Sequence, residues 1–303
     1  MIEKYYSGVI EQIYNRIGKE TRNIVMANYS NDFSIENLEV IRRYQSNEDN
    51  VFFAYSEFSY NTLVGAYEPF LDIICNMHRR FIGGSFDDFQ KECGVYYLHR
   101  QVLNSYYETG ECFREETVLL NEVAYEQRRM TMAIADMLKK LSEVKPLMIV
   151  INRFQMASKS SIETIKYLID NPCANIGIVL GVNAIVKGTD STVEVWDRIV
   201  ESLEDRSAIY YIGSAGPLKN NVKTTNDDEL YITMNFEQSI QEASNIMEFL
   251  DFEQARRGCR IIEHKLKFED AWIDEKSLRR FYMVYARTVS YTHLRAHETA
   301  ANL

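Results

Sequence analysis

The sequence predicts an α/β fold, a parallel sheet flanked by helices, followed by an all-helical segment. Two runs, Leu147–Ile151 and Ile176–Leu180, are apolar on both faces, which is typical of strands in the middle of a parallel sheet. Short apolar runs alternate with amphipathic helical stretches, the pattern of strands joined by crossover helices. After residue 235 only helical periodicity remains.

The strands and helices can be assigned in chain order from these periodicities. The predicted strands cover 23–27, 51–55, 147–151, 176–180 and 208–212. The predicted helices among them cover 5–17, 35–44, 67–81, 117–143, 160–170 and 193–203. Ser158 or Ser160 is expected to cap the helix over 160–170, with Glu163 in its first turn. Residues 83–110 are rich in aromatic side chains and follow no clear period.

Polar residues 214–234 are the predicted linker between a domain over 1–213 and a helical segment over 235–288. The segment is expected to hold helices over 236–250, 252–266 and 276–288. Ala243 and Ala255 are small enough to let the first two helices cross closely. Two short helices, a tight turn and a third helix resemble the start of a tetratricopeptide-like repeat array.

The last fifteen residues, 289–303, are interpreted as a non-native tail. The string VSYTHLRAHET at 289–299 resembles the translation of a sequencing adapter read in frame. We therefore expect the natural sequence to be represented up to about Thr288, and the tail is left out of the fold prediction.

Composition favours a folded cytoplasmic protein and excludes several functional classes. The formal net charge of -10 argues against a nucleic-acid surface, which needs clustered Lys and Arg. The five cysteines form no CxxC pair, so reduced thiols are expected rather than disulfides or a zinc site. No stretch approaches the ~20 apolar residues that a membrane span needs, and no membrane partner is predicted.

Residues 145–183 carry a more specific pattern: an apolar strand, a short loop, a Ser-rich helix start and a second apolar strand. This arrangement resembles the STAND class of AAA-type P-loop ATPase domains. The matching positions are Phe154, Gln155, Ala157, Ser160 and Ser161. The resemblance implies a P-loop NTPase-like parallel sheet for the domain over 1–213.

The chain departs from that family where the family binds magnesium and activates water. Two acidic residues are expected directly after the strand, because a hard cation prefers anionic oxygen and the attacking water needs a base. This chain has Asn152 and Arg153 there. Asn152 offers an uncharged carbonyl oxygen, and Arg153 would repel the metal.

The segment in the place of the phosphate loop also departs from the pattern of that family. Such a loop needs glycines, then a lysine for the phosphates and a Ser or Thr for magnesium. In the segment after the first strand, Ala27 and Asp32 replace the glycines and Phe33 replaces the lysine, while Ser34 alone fits. Both motifs are therefore degenerate, which predicts a pseudo-ATPase with no catalytic residues, no metal site and no cofactor.

The predicted function is that of a regulatory or interaction module of a signalling protein. Its partner would be another protein or the chain's own C-terminal output domain, for example a GGDEF-type cyclase or a helix-turn-helix regulator. The alternative is an active ATPase that binds ATP and Mg²⁺ through Ser34, Asn152 and backbone amides. His78 and His99 lack metal-spaced partners, so surface or helix-face positions are expected for them, and Glu57 is expected in a loop.

Overall fold

The computed structural model describes residues 2–30, 38–46, 50–59, 63–114, 118–119, 122–183, 190–217, 235–268 and 273–301. The chain divides into two compact units, each built from several stretches of sequence. Unit 1 comprises Met1–Ser59, Tyr67–Gly84 and Ile134–Thr225. Unit 2 comprises Tyr60–Ala66, Ser85–Ala133 and Asn226–Leu303.

Unit 1 contains a five-stranded, fully parallel sheet, which confirms the predicted α/β class. Its strands are β1 (Ile24–Tyr29), β2 (Phe52–Glu57), β3 (Leu147–Asn152), β4 (Ile176–Asn183) and β5 (Ile209–Ile212). Their order across the sheet is β2-β3-β4-β1-β5. All residues of β3 and β4 are buried, as the two apolar runs predicted. Because all strands are parallel, their carboxyl ends lie along one edge of the sheet.

The helices of unit 1 cover the sheet with their apolar faces. They are α1 (Ile2–Arg16), α2 (Glu39–Ser46), α3 (Phe70–Met77), the part of α6 (Val123–Val144) after Ala133, α7 (Lys159–Asp170) and α8 (Asp190–Glu204). Helix α1 buries Tyr6, Ile10 and Ile13 at helical spacing. Ser158 caps α7, since its hydroxyl accepts a hydrogen bond from the amide of Ser161 (3.3 Å).

The helix predicted over 67–81 begins later and changes its winding. Its α-helical part starts at Phe70, after Pro69, which has no amide hydrogen to donate. From His78 to Ile82 the chain continues as one π-helical turn, a rare form that often marks an irregular site. Gly83 follows with a φ of 68°, a conformation that glycine adopts without steric cost.

Unit 2 is helical, and it includes most of the aromatic-rich region 83–110, which follows no clear period. Its helices are α4 (Phe86–Glu92), α5 (Tyr97–Thr109), the start of α6, α9 (Phe236–Glu248), α10 (Phe252–Phe268) and α11 (Glu275–Ala301). Side chains bind backbone groups around the end of α9: Asn245 accepts from the amide of Cys112 (2.9 Å), and Gln127 donates to the carbonyl of Leu250 (2.9 Å). These contacts connect residues more than 120 positions apart in sequence.

The turn between α9 and α10 is tight for a local reason. Leu250 has a φ of 69°, and the side chain of Asp251 accepts a hydrogen bond from the amide of Gln254 (3.2 Å) at the start of α10. Ala243 and Ala255 are fully buried, as the expected close approach of the two helices requires. In the part of the chain that the structure describes, none of the helices combines the length and apolarity needed to cross a bilayer.

Two histidines that were expected at surface or helix-face positions lie in helices, and both are buried. His78, in the π-helical turn of unit 1, is fully buried, and His99, in α5 of unit 2, is 1% exposed. His264 is exposed. The burial of His99 was not predictable from its sequence neighbours, because the ring lies against Glu126 of α6, 27 residues later in the chain.

Candidate functional site

The candidate site is the carboxyl edge of the sheet in unit 1, where open parallel sheets generally place their ligands. The strand ends are in register there. Glu57 of β2 lies opposite Asn152 of β3, and Tyr29 of β1 lies opposite Asn183 of β4. These polar strand ends form the edge at which the family that the sequence resembles would hold its nucleotide.

Asn152, one of the two predicted site residues, is at this edge but is fully buried. The Tyr29 hydroxyl donates a hydrogen bond of 2.6 Å to its side-chain oxygen Oδ1. A magnesium ligand has to present an oxygen to an ion that usually keeps several water molecules. The oxygen that Asn152 could offer is instead buried and engaged by a tyrosine.

A second tyrosine completes the packing around Asn152. An ideal Cβ built on Gly181 of β4 would lie 2.3 Å from the hydroxyl oxygen of Tyr6 and 2.9 Å from Oδ1 of Asn152. The absence of a side chain at Gly181 thus makes room for the Tyr6 hydroxyl. Burial, with smaller effects of Tyr29 and the nearby acidic and phenolic groups, raises the pKa of Tyr6 well above its ordinary value. The Tyr6 phenol is therefore neutral at physiological pH.

Arg153 follows β3 and is neutralised by an ion pair within the same unit. Its Nη1 lies 3.1 Å from Oε1 of Glu57, and the carboxylate also accepts a hydrogen bond from Tyr55. Glu57 is the last residue of β2. The expectation that it lies in a loop was therefore wrong. Arg153 has a φ of 55°, in the left-handed region that costs a non-glycine residue ~1–2 kcal/mol. The ion pair thus neutralises the cation that directly follows β3.

The short turn after Arg153 binds the end of β4 through a side chain. Residues Phe154–Met156 form one 3-10 turn, and all three are buried. The side-chain oxygen Oε1 of Gln155 accepts a hydrogen bond from the backbone amide of Asn183 (3.3 Å). Gln155, which matched the family pattern, thus binds the end of β4 through its side chain.

Asn28 is a buried polar residue that the sequence did not single out. It belongs to β1, which continues through Tyr29, so the first three residues of the segment aligned with a phosphate loop, Ala27–Tyr29, are strand. Its Nδ2 donates to the carbonyl of Gly216 (2.8 Å). Ser34, the other predicted site residue, lies outside the described residues.

Unit 2 contains a separate buried polar cluster, defined by His99, Glu126, Arg129 and Arg114. Nε2 of His99 lies 2.9 Å from Oε2 of Glu126, whose other oxygen contacts Arg129 (3.3 Å). Burial, with smaller contributions from Arg114 and Arg129, lowers the pKa of His99 to about 3. The imidazole is therefore neutral at pH 7, and its contact with Glu126 is not an ion pair.

Comparison with models of known protein families and with curated proteins gave no match for this chain. We therefore infer the function from the parallel sheet and from the geometry at its carboxyl edge. The observation that bears most directly on catalysis is the buried hydrogen bond between Tyr29 and Asn152.

Proposed function

We propose that the chain is a non-catalytic regulatory and interaction module in which a P-loop NTPase-like domain serves as a scaffold. The strand order β2-β3-β4-β1-β5 is compatible with a P-loop-like fold. The resemblance of residues 145–183 to STAND domains supports the same assignment. The proposal depends above all on Asn152, which is fully buried and hydrogen-bonded to Tyr29. It stands where STAND domains carry the carboxylate that binds magnesium.

Two physical arguments oppose nucleotide hydrolysis at this edge. A buried, uncharged oxygen already bonded to Tyr29 cannot balance the charge of Mg²⁺ and a triphosphate. Arg153 stays protonated at physiological pH, so it cannot accept a proton from water. A phosphoryl-transfer site works by positioning charges around the phosphate and the metal, and both acidic contributions are replaced here.

The helical segment after residue 235 supplies the interaction part of the proposal. Helices α9, α10 and α11 follow one another with short connections, an arrangement compatible with tetratricopeptide-like repeats. Such arrays present a concave surface to peptides or to other domains. The partner would be another protein or an output domain of the same polypeptide, for example a GGDEF-type cyclase or a helix-turn-helix regulator.

The proposal is tested by titrating the full chain with MgATP and following heat and melting temperature. We expect no saturable heat and no change in melting temperature at millimolar MgATP, because ligand binding to the folded state alone would raise stability. Saturable binding that Ser34→Ala abolishes would favour the active ATPase alternative. Ser202→Ala, at an exposed helix position of unit 1, is the matched control.

A further inference from the structure

Strand β5 forms an open edge of the parallel sheet in unit 1. The strand order across the sheet ends with β5, and in the described part of the chain no further strand pairs with it. The four residues of this strand are only partly covered: Ile209 and Tyr210 are half-buried, and Tyr211 is 45% exposed. An open strand edge is a template on which another strand can pair.

The pairing of β5 with β1 shows which of its backbone groups face outward. The amide of Met26 donates to the carbonyl of Ala208 (3.1 Å), and Met26 is the register partner of Ile209. In a parallel ladder this register turns the carbonyl of Ala208 and the amide of Tyr210 toward β1. Ile209 and Tyr211 therefore direct their amide and carbonyl groups away from the sheet. Among the described residues these outward groups have no hydrogen-bond partner.

The edge also lacks the features that usually prevent strands from pairing. Charged side chains, prolines within the strand and bulges are common devices of this kind. Residues 209–217 carry no charge, and β5 pairs with β1 residue by residue without a bulge. Copies of a chain with a formal net charge of -10 repel one another, and the repulsion is smallest where both surfaces are uncharged. The edge of β5 is therefore suited to contact between two copies.

We propose that two copies of this chain associate by pairing their β5 strands in antiparallel orientation about Tyr210. A twofold axis at Tyr210 places Ile209 of one copy opposite Tyr211 of the other, and each such pair exchanges two backbone hydrogen bonds. The side chains of Ile209 and Tyr211 share one face of the sheet, because Tyr210 points to the other face, where its hydroxyl donates to Gln12 of α1 (3.1 Å). Pairing thus sets an aliphatic side chain against an aromatic one twice, a favourable cross-strand combination.

The association is expected to be weak and to depend on salt. A contact centred on four-residue strands buries less than the ~1,200 Å² of stable interfaces, so we expect a Kd on the order of 10–100 μM. Raising the NaCl concentration from ~0.05 M to ~0.5 M should strengthen the dimer severalfold, because salt screens the repulsion between the two acidic copies. Sedimentation equilibrium of the full chain, at about 5–500 μM, measures both effects. A chain that stays monomeric throughout, or a dimer that salt weakens, would overturn the proposal.

A proline at position 211 tests the backbone hydrogen bonds. Tyr211→Pro removes an outward N–H group but no hydrogen bond to β1, and edge strands accept proline at such positions. The Kd of the dimer should rise about tenfold or more, because each dimer loses two hydrogen bonds. Tyr211→Val keeps the N–H group and a side chain suited to strands, so it is the matched control and should dimerise nearly as well as the native chain. Equal association of the proline variant and the native chain would contradict the pairing.

Intermolecular disulfides test the register and do not depend on the proline variant. The background carries serine at Cys93 and Cys173, the two partly exposed cysteines. In Tyr210→Cys the two new thiols meet across the axis, where opposite Cα atoms lie ~4.5 Å apart, within the range of a disulfide. In Tyr211→Cys the corresponding Cα atoms lie more than ~7 Å apart, too far for one. Tyr210→Cys should therefore form the covalent dimer at least tenfold faster, although Tyr211 is the more exposed position. Faster cross-linking of Tyr211→Cys, or none in either variant, would refute the antiparallel pairing about Tyr210.

Discussion

Removal of the Tyr29 hydroxyl should destabilise unit 1 by about 1–3 kcal/mol. In Tyr29→Phe, the side-chain oxygen of Asn152 loses a 2.6 Å hydrogen bond at a position that is fully buried, so water cannot replace the donor. The aromatic contact of Tyr29 with Tyr6, whose ring centroids are 6.1 Å apart, is retained in phenylalanine. The loss of stability in Tyr29→Phe therefore measures the contribution of the hydrogen bond and not that of ring packing.

The measurement needs a probe that is specific for unit 1. The chain has two tryptophans, of which Trp196 is buried in unit 1, with its ring centroid 5.5 Å from that of Phe154. In a Trp272→Phe background, fluorescence during urea unfolding follows Trp196 alone. With a urea dependence of ~2 kcal/mol per M, a loss of ~2 kcal/mol lowers the midpoint by about 1 M.

A double-mutant cycle decides whether the hydrogen bond is responsible. Asn152→Leu alone leaves the Tyr29 hydroxyl buried without its acceptor, whereas the double variant removes both polar groups and should cost less than the sum of the single changes. Tyr210→Phe is the control, because its hydroxyl bonds Gln12 at an exposed site, and it should change stability by less than ~0.5 kcal/mol. If Tyr29→Phe matches this control, Asn152 is not held by Tyr29, and the argument against a metal site fails.

Three further experiments test the packing at Gly181, the titration of His99 and the burial of the cysteine thiols. Gly181→Ala should lower the free energy of unfolding by ~1–3 kcal/mol, because the new Cβ would clash with the Tyr6 hydroxyl. Adding Tyr6→Phe should recover part of that stability, because the nearest remaining atom of the Tyr6 ring lies 3.3 Å from the new Cβ. Equal stability of the single and the double variant would contradict the proposed clash. Because the pKa of His99 is about 3 in the folded state and ~6.5 when unfolded, stability should fall as pH decreases below about 6.5. Between pH 7 and 5 the loss should be about 2 kcal/mol larger than in His99→Gln, measured by urea unfolding followed by circular dichroism. In the folded protein a thiol reagent should modify quickly no more than the two partly exposed cysteines, Cys93 and Cys173, and all five after unfolding.

The strands were predictable from the sequence because burial on both faces leaves continuous apolar runs. The runs that became β3 and β4 were identified within three residues of their observed ends. The end of β1 was missed because Asn28 and Tyr29 are polar or aromatic residues typical of loops. Their place in the strand depends on pairing with β4 and β5, whose residues follow more than 150 positions later.

The candidate site was predictable only in part, for the same reason. The strand-loop-helix pattern identified Asn152 without any knowledge of its neighbours. Nothing local, however, indicates that Tyr29, which is 123 residues earlier, bonds to it, or that Gly181 makes room beside it. The contact of His99 with Glu126 was missed similarly, because it depends on how α5 and α6 pack in unit 2.

The geometry at the carboxyl edge also explains why a single acidic substitution would not create an ATPase site. An aspartate in place of Asn152 would be fully buried, and burial raises the pKa of a carboxyl group because it disfavours the charged form. Magnesium would have to displace the Tyr29 hydroxyl and bring its own water molecules into a space that Tyr6 fills. Arg153 would remain beside the metal, held there by Glu57. An ATPase site at this edge would therefore require several coordinated changes on three strands and α1, because the polar groups there belong to the packed interior.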